Sequence, residues 1–308
     1  MSKSIYVCIE IHTDMESIWK RTQDPSLHER WDLRFTSIAY LPKDDEDEPQ
    51  RFAYTTKLGF GLGISGWGES IATHNEDQSR TSSLRFGSVE ALSLIREGGG
   101  YWKYTESQTG IVFETGYDYE CRWGVIGRFI DSVVFRPFIG WATAWSFDRL
   151  RLWIEKGVDP MLLMLRSIVH SVCRLGLAAI FAWHGIVPKL VAHHPQEQQL
   201  IEASGFSPDV SGWLVTIAGV LEILFAIVLV VLWRVRWLYA VTGIALIALM
   251  LTAIIADSGL LIHPFGPVTL TIAMLAMCVL GWVACVDLPS ARRCSRSKKL
   301  NQRERKHK

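Results

Sequence analysis

Glu222 is the residue whose place in the chain most constrains chemistry. It sits almost at the midpoint of 212–233, GWLVTIAGVLEILFAIVLVVLW, an apolar run of the ~20 residues that a bilayer-spanning helix needs. Charge at the midplane costs about 2.5–3.5 kcal/mol on insertion scales, so this acid belongs against a partner or a water-filled cavity. The run has no polar face at 3.6-residue spacing, which separates it from a soluble core helix. In the preceding apolar stretch, 168–190, His184 and Lys189 lie toward the outer end and Arg174 near the inner end. At ~1.5 Å per residue, Glu222 and His184 differ in depth by only ~6 Å, within side-chain reach if the helices are adjacent. Glu222, His184, Lys189 and Arg174 are therefore the candidates for a membrane pocket suited to a quinone-like headgroup, a proton or a small substrate. The structural alternative keeps Glu222 neutral and hydrogen-bonded, while Arg174 and Lys189 snorkel.

Other chemistry finds little support. His193 and His194 are adjacent and lack the i,i+4 spacing of helical ligands, so with His184 and His263 they predict no metal site. The six cysteines show no CxxC spacing and no paired framework. Cys173, Cys278 and Cys285 fall in apolar segments and read as small packing groups. The glycines of LGFGLGISGWG are followed by no Lys-Ser/Thr, so strand turns explain them and a phosphate loop does not. His12, His28 and His74 have no spacing that suggests a metal or an acid/base pair. No catalytic residue can be named, and no cofactor motif is evident beyond the quinone that the membrane pocket could take. The net charge of +1 gives no global pull toward nucleic acid, and the basic 292–308 segment lacks the aromatic interleaving of a nucleic-acid module.

The elements that must position these groups fall into two halves. Apolar spans are predicted at about 168–190, 212–233, 237–256 and 265–286, with Trp213, Trp233, Trp237, Tyr239 and Trp282 toward their ends. Lys and Arg gather before the first span, between the second and third, and after the fourth. The positive-inside rule then puts the N-terminal half and the tail in the cytoplasm of a multi-pass protein of the inner (plasma) membrane. The N-terminus has no apolar h-region, so no secretory signal is expected.

Upstream, residues 4–12 alternate in the β manner, and Asp14 and Asp24-Pro25 open two short helices. Strands follow at 35–41, 51–58, 66–74, 81–88, 93–97, 100–106 and 109–122, separated by turn residues around an acidic loop at 44–48. A helix over 128–156 closes this half, kinked or restarted at Pro137.

The blocks IEIHTDMESIWKRTQDPSLHERWDLRFTSIAYLP and GRFIDSVVFRPFIGWATAWSFDRLRLWIEKG, in this element order, resemble the START-like (SRPBCC, polyketide cyclase-type) superfamily. The resemblance implies an α+β helix-grip fold, a curved sheet around a long helix, with a cavity that usually holds an apolar ligand. Trp31, Phe35, Tyr54, Trp67, Tyr117 and Trp141 are the candidate cavity liners. The spacing CRLGLAAIFAWHGIVPKL, with GVLEILFAIVLVVLWRVRW, is similar to the DoxX-like membrane family, an all-α four-helix transmembrane bundle. Some of its members resemble a subunit of a thiosulfate:quinone oxidoreductase, although no cysteine or cofactor motif here would carry electrons.

The expected organisation is a START-like cytoplasmic domain at 1–156, a linker at 157–167, a DoxX-like four-span domain at 168–288 and a basic cytoplasmic tail at 289–308. The expected function is binding of an apolar small molecule or lipid beside the bilayer. A quinone-linked oxidoreductase subunit and a membrane scaffold for a protein partner are the alternatives. A homo-oligomer or a membrane redox partner stays open.

Overall fold

The computed structural model describes residues 4–298, apart from 44, 46, 47, 60 and 263–265. The expectations for His263, for the start of the fourth span at Phe265, for parts of the acidic loop and for 299–308 lie outside the described residues. The chain divides into two units, 1–163 with 289–308, and 164–288.

In the first unit, β1 (Ile5–Ile11) turns Ile5, Val7, Ile9 and Ile11 inward, and all four are buried. Helix α1 (Met15–Gln23) starts where Asp14 Oδ1 accepts the Ser17 amide at 2.8 Å. Helix α2 (Pro25–Trp31) starts on Asp24, with Pro25 in the first turn, where its missing N–H costs nothing. Strands β2 (Ser37–Tyr40), β3 (Arg51–Gly59), β4 (Leu62–Glu76), β5 (Ser79–Gly87), β6 (Ile95–Glu106) and β7 (Ile111–Cys121) form an antiparallel meander. Pairing of β1 with β7 completes a seven-stranded sheet of order β1-β7-β6-β5-β4-β3-β2. Helix α3 (Gly124–Ile130) and a π-turn (Asp131–Phe135) lead into α4 (Arg136–Lys156). Residues 142–150 of α4 are buried all round, as a helix gripped by a sheet should be. The helix restarts at Pro137, in the first turn of α4.

Two differences from expectation have physical reasons. The separate strands at 93–97 and 100–106 are one strand, β6, which runs straight through Gly98, Gly99 and Gly100. A Cβ on Gly98 would lie 2.5 Å from the Asp118 carbonyl oxygen, and one on Gly100 would lie 2.5 Å from Tyr117 Cβ. The triplet is a close-approach site, although its composition reads as a turn. The start of the tail is also no free end. Cys8 and Ser295 exchange both backbone hydrogen bonds at 2.9 Å, so the open edge of β1 is paired there. The Ser290 amide donates to Asp148 Oδ2 at 2.7 Å, and Cys294 Sγ donates to the Ala144 carbonyl at 3.1 Å. Asp148 is fully buried: Arg151 of the same helix donates to Oδ1 at 2.8 Å, and the Ser290 amide supplies Oδ2.

In the second unit, α5 (Pro160–His184) begins within the stretch expected to be a linker, because Pro160 starts a helix that the apolar 161–165 continues. A π-helical segment (Gly185–Val191) carries it on, followed by the short α6 (Pro195–Glu202). Then come α7 (Pro208–Val231), α8 (Trp237–Ala256) and α9 (Pro267–Ala284). Four segments, Pro160–Val191, α7, α8 and α9, are long and apolar enough to cross a membrane. Their shared core includes Cys173, Leu177, Leu229, Tyr239 and Met274. The fold is thus an α+β unit, a seven-stranded antiparallel sheet around a long helix in the helix-grip manner, and an all-α unit of four apolar helices.

Candidate functional site

Between the sheet and α4 lies a cavity of about 710 Å³. It falls within the ~300–1,000 Å³ of small-molecule sites. At roughly 30 Å³ per non-hydrogen atom, the volume of a liquid water, it holds about 24 such atoms. Its walls are mainly apolar and come from β2 to β7 and the first turns of α4.

One end of the lining is polar, and the sequence folds there for a local reason. Helix α2 ends at Trp31, and the chain turns through Asp32 to Arg34, so both side chains point back under the helix. Asp32 is fully buried and accepts from Arg34 N at 3.0 Å, Arg34 Nε at 2.9 Å and Arg34 Nη2 at 2.6 Å. His28, one helical turn earlier, meets Asp32 Oδ2 through Nε2 at 3.0 Å. Burial alone would raise the Asp32 carboxyl, but Arg34 and His28 offset it and hold the group well below the usual carboxylate range. Arg34 gains correspondingly from Asp32 against its own burial and stays protonated. Burial pushes the His28 imidazole below its ordinary value, with Asp32 opposing, so at neutral pH it is the uncharged donor to that carboxylate. Burial also raises the Tyr117 phenol and pushes that of Tyr54 up to about 12. Tyr117 Oη lies 2.8 Å from Thr143 Oγ1, which itself donates to the Ile139 carbonyl. The polar end is therefore a neutral ion pair flanked by two un-ionised phenols, with Arg34 on the cavity wall.

Of the six aromatic candidates, Phe35, Tyr54 and Tyr117 line the cavity. Trp31 is fully buried behind it, with Nε1 bonded to the Arg21 carbonyl at 2.9 Å, because α2 turns that face toward α1. Trp67 lies against Gly87 and is not among the liners. Trp141 sits on the outer face of α4, 41% exposed and stacked on Phe138. Asp32, Arg34 and His28 were missed. Their only trace in the sequence is the HERWDLR string, whose i,i+4 and i,i+2 charges look like a solvated turn.

The membrane candidates separate into two groups. Lys189 Nζ lies 3.1 Å from Glu222 Oε2 and 3.6 Å from Glu197 Oε1, and its side chain is only 10% exposed. The contact with Glu222 is an ion pair by distance, but it lacks the alignment of a hydrogen bond. Two glycines make it possible. A Cβ on Gly185 would lie 2.5 Å from the Gly219 carbonyl oxygen, and one on Gly219 would lie 2.9 Å from the Gly185 carbonyl. The π-helical segment and α7 thus touch backbone to backbone, with Lys189 and Glu222 one turn beyond. His184 has no polar contact with this pair. Arg174 lies elsewhere, fully buried, with Nε on the Leu229 carbonyl at 2.8 Å and Nη2 on that of Leu232 at 2.7 Å. Its guanidinium covers the Tyr239 ring at 4.8 Å, and His170 takes the Trp233 carbonyl at 3.0 Å. Fifteen residues of helix, ~22 Å, separate Arg174 from Lys189, which is why a single pocket cannot hold both. Arg174 and His170 staple the α7–α8 turn. Among the described residues no group of three His, Cys, Asp or Glu side chains could hold a metal.

The DoxX-like family matches the chain over residues 178–279. The uncharacterised membrane protein YndG of Bacillus subtilis (strain 168) is 46% identical over 185 residues, covering 59% of this chain and 69% of the relative. Among solved structures, the di-domain aromatase/cyclase StfQ of steffimycin biosynthesis aligns at 10% identity and a TM-score of 0.37, over 50% of this chain and about half (52%) of its own length. A STAR-related lipid transfer protein of Xanthomonas axonopodis aligns at 14% identity and a TM-score of 0.36, over 47% of this chain and 82% of that one. A protein of unknown function from Staphylococcus aureus, SA2116, aligns at 14% identity and a TM-score of 0.37, over 50% and 96%.

Proposed function

We propose that this chain, which belongs to the family of the membrane protein YndG and carries a DoxX-like domain, binds one apolar small molecule in the cavity of its α+β unit. The carrying observation is the mainly apolar 710 Å³ cavity with the buried, Asp32-paired Arg34 on its wall. A volume of about 24 non-hydrogen atoms suits a single-chain or polycyclic lipid and is too small for a two-chain phospholipid. Because Asp32 already neutralises Arg34, this end of the cavity suits an uncharged oxygen, a hydroxyl or carbonyl, better than a second carboxylate. The positions of Lys and Arg around the spans support a cytoplasmic α+β unit in the inner membrane. Pairing of residues 290–296 with that same unit also requires an even number of crossings.

Native mass spectrometry with lipid extraction on the full-length protein tests the reading. A defined apolar molecule should be retained by the wild type and lost in Ala142→Trp, which fills the cavity from α4. Equal retention by the variant would move the site elsewhere.

A second reading rests on the Lys189–Glu222 pair beside a π-helical segment, a feature frequent at functional sites. There the chain would be a subunit of a quinone-linked oxidoreductase. Quinone-dependent turnover abolished by Glu222→Gln would support it, and turnover indifferent to that change would end it.

A further inference from the structure

We propose that the surface made by residues 123–141 is a bilayer-docking face, seated on anionic lipid and continuous with the cavity of the α+β unit. The segment GVIGRFIDSVVFRPFIGW turns its apolar residues outward instead of into the core. Val125 is 73% exposed, Phe129 67%, Val133 59% and Phe138 56%. Trp123 and Trp141, also exposed, stand at its two ends, and aromatic rings of this kind favour the membrane–water interface. A soluble surface rarely carries so continuous an apolar stretch without a partner.

Charge identifies the partner. The segment's one carboxylate, Asp131, is buried, where it accepts from Tyr119 Oη at 2.5 Å and from Arg136 Nε at 2.7 Å. Arg128 is exposed within the segment. Arg296, exposed on the folded-back tail, reaches the Pro137 carbonyl at 3.3 Å. An apolar centre with Arg128 and Arg296 exposed beside it, and with the bordering carboxylate Asp118 already paired to Arg136 at 3.0 Å, matches a bilayer carrying anionic headgroups. It matches a second copy less well, since an isologous contact would set these arginines against each other. A bilayer also suits the chain's path, which leaves this unit for four helices long and apolar enough to cross a membrane after Leu163 and rejoins it at Pro289.

Phe138 ties the face to the cavity, since the same ring is on the exposed patch and in the cavity lining. An apolar molecule moving between bilayer and cavity past Phe138 would avoid crossing water. Docking itself needs no ligand, so its failure and the failure of the binding reading are separate results.

The test is site-directed spin labelling of the full-length protein in vesicles of phosphatidylethanolamine and phosphatidylglycerol. The label is placed at Val133→Cys, or at Phe129→Cys should the first fold poorly, with Cys121 and Cys285 replaced by Ala. Thr73→Cys, on the exposed end of β4, is the water reference. Docking predicts that oxygen broadens the label at 133 more than a water-soluble nickel chelate does, and the reverse at 73. Each of Arg128→Gln and Arg296→Gln should lower the docked-to-undocked ratio about fivefold, and phosphatidylcholine vesicles should lower it further. Nickel access at 133 equal to that at 73 would overturn the proposal. So would shielding from both reagents, which means protein cover, with dipolar broadening marking a second copy.

Discussion

Removing the carboxylate charge at Asp32 should be the most damaging single isosteric change in the α+β unit. Asp32→Asn keeps the shape but leaves the Arg34 guanidinium, only 12% exposed, without its counter-charge. Of the donors that meet Asp32, two are Arg34 side-chain nitrogens and one is the His28 ring. At an effective dielectric of about 20, two unit charges 4 Å apart attract by ~4 kcal/mol. Breaking a buried pair by removing one partner costs about 3–5 kcal/mol in measured systems. The folded-to-open ratio should therefore drop by roughly 150- to 5,000-fold. Hydrogen exchange read by mass spectrometry on the β7 and α4 amides of the full-length protein is the assay, and protection should fall by that factor. Arg34→Met should cost a similar amount, because it strands Asp32. The double variant should then be less damaged than the sum of the singles, since neither charge is left alone. A loss below about 1 kcal/mol in Asp32→Asn, or strict additivity of the pair, would refute the reasoning and make Asp32–Arg34 a solvated surface contact.

Three further outcomes follow from the same contacts. His28 is held neutral by burial, with its folded pKa below the unfolded value of ~6.5, so stability should fall as pH drops below that value, by at most ~1.4 kcal/mol per pH unit. His28→Gln should flatten that slope between pH 7 and pH 5 in denaturant titrations, and an unchanged slope would mean the imidazole charges freely. Gly185→Ala puts a Cβ 2.5 Å from the Gly219 carbonyl and should cost about 1–3 kcal/mol of helical-unit stability, measured as a lower midpoint in detergent thermal unfolding, while no shift would show that the helices part easily. Ending the chain after Leu288 removes two backbone hydrogen bonds from Cys8, a thiol now 4% exposed, so alkylation of Cys8 should speed up roughly thirtyfold at about 1 kcal/mol per bond, and an unchanged rate would mean the strap does not hold the β1 edge.

Local pattern made much of the architecture legible. The alternation of Ile5, Val7, Ile9 and Ile11, the caps at Asp14 and Asp24 and the long apolar runs all act through near neighbours, so they can be read residue by residue. The site was less legible because its contacts join distant segments. Asp32 and Arg34 look like turn charges until α2 and the sheet cover them. Depth alone paired Glu222 with His184, whereas the side chain that meets it is Lys189, because spacing does not say which way each helix turns; the same missing information left Arg174 unsorted. The Gly98–Gly100 triplet misled because a turn and a crowded strand ask for the same residue. The sequence shows the near partner of Asp148, Arg151 at i+3, but gives no sign that its second donor, the Ser290 amide, lies 142 residues on.

That distant donor bears on how the protein is made. Synthesis delivers β1 and α4 first and residues 290–296 last, with all the apolar helices in between. At ~5–20 residues per second, the β1 edge waits about 15 to 60 seconds for its partner and Asp148 about 7 to 30 seconds. During that interval the nascent domain shows an unpaired strand edge at Cys8 and an Asp148 with only its Arg151 partner, and an unpaired edge is a feature that chaperones engage. A chain whose last helix fails to insert on the correct side cannot deliver the strap at all. Completion of the first-made domain thereby depends on the segment that follows the last-made helix.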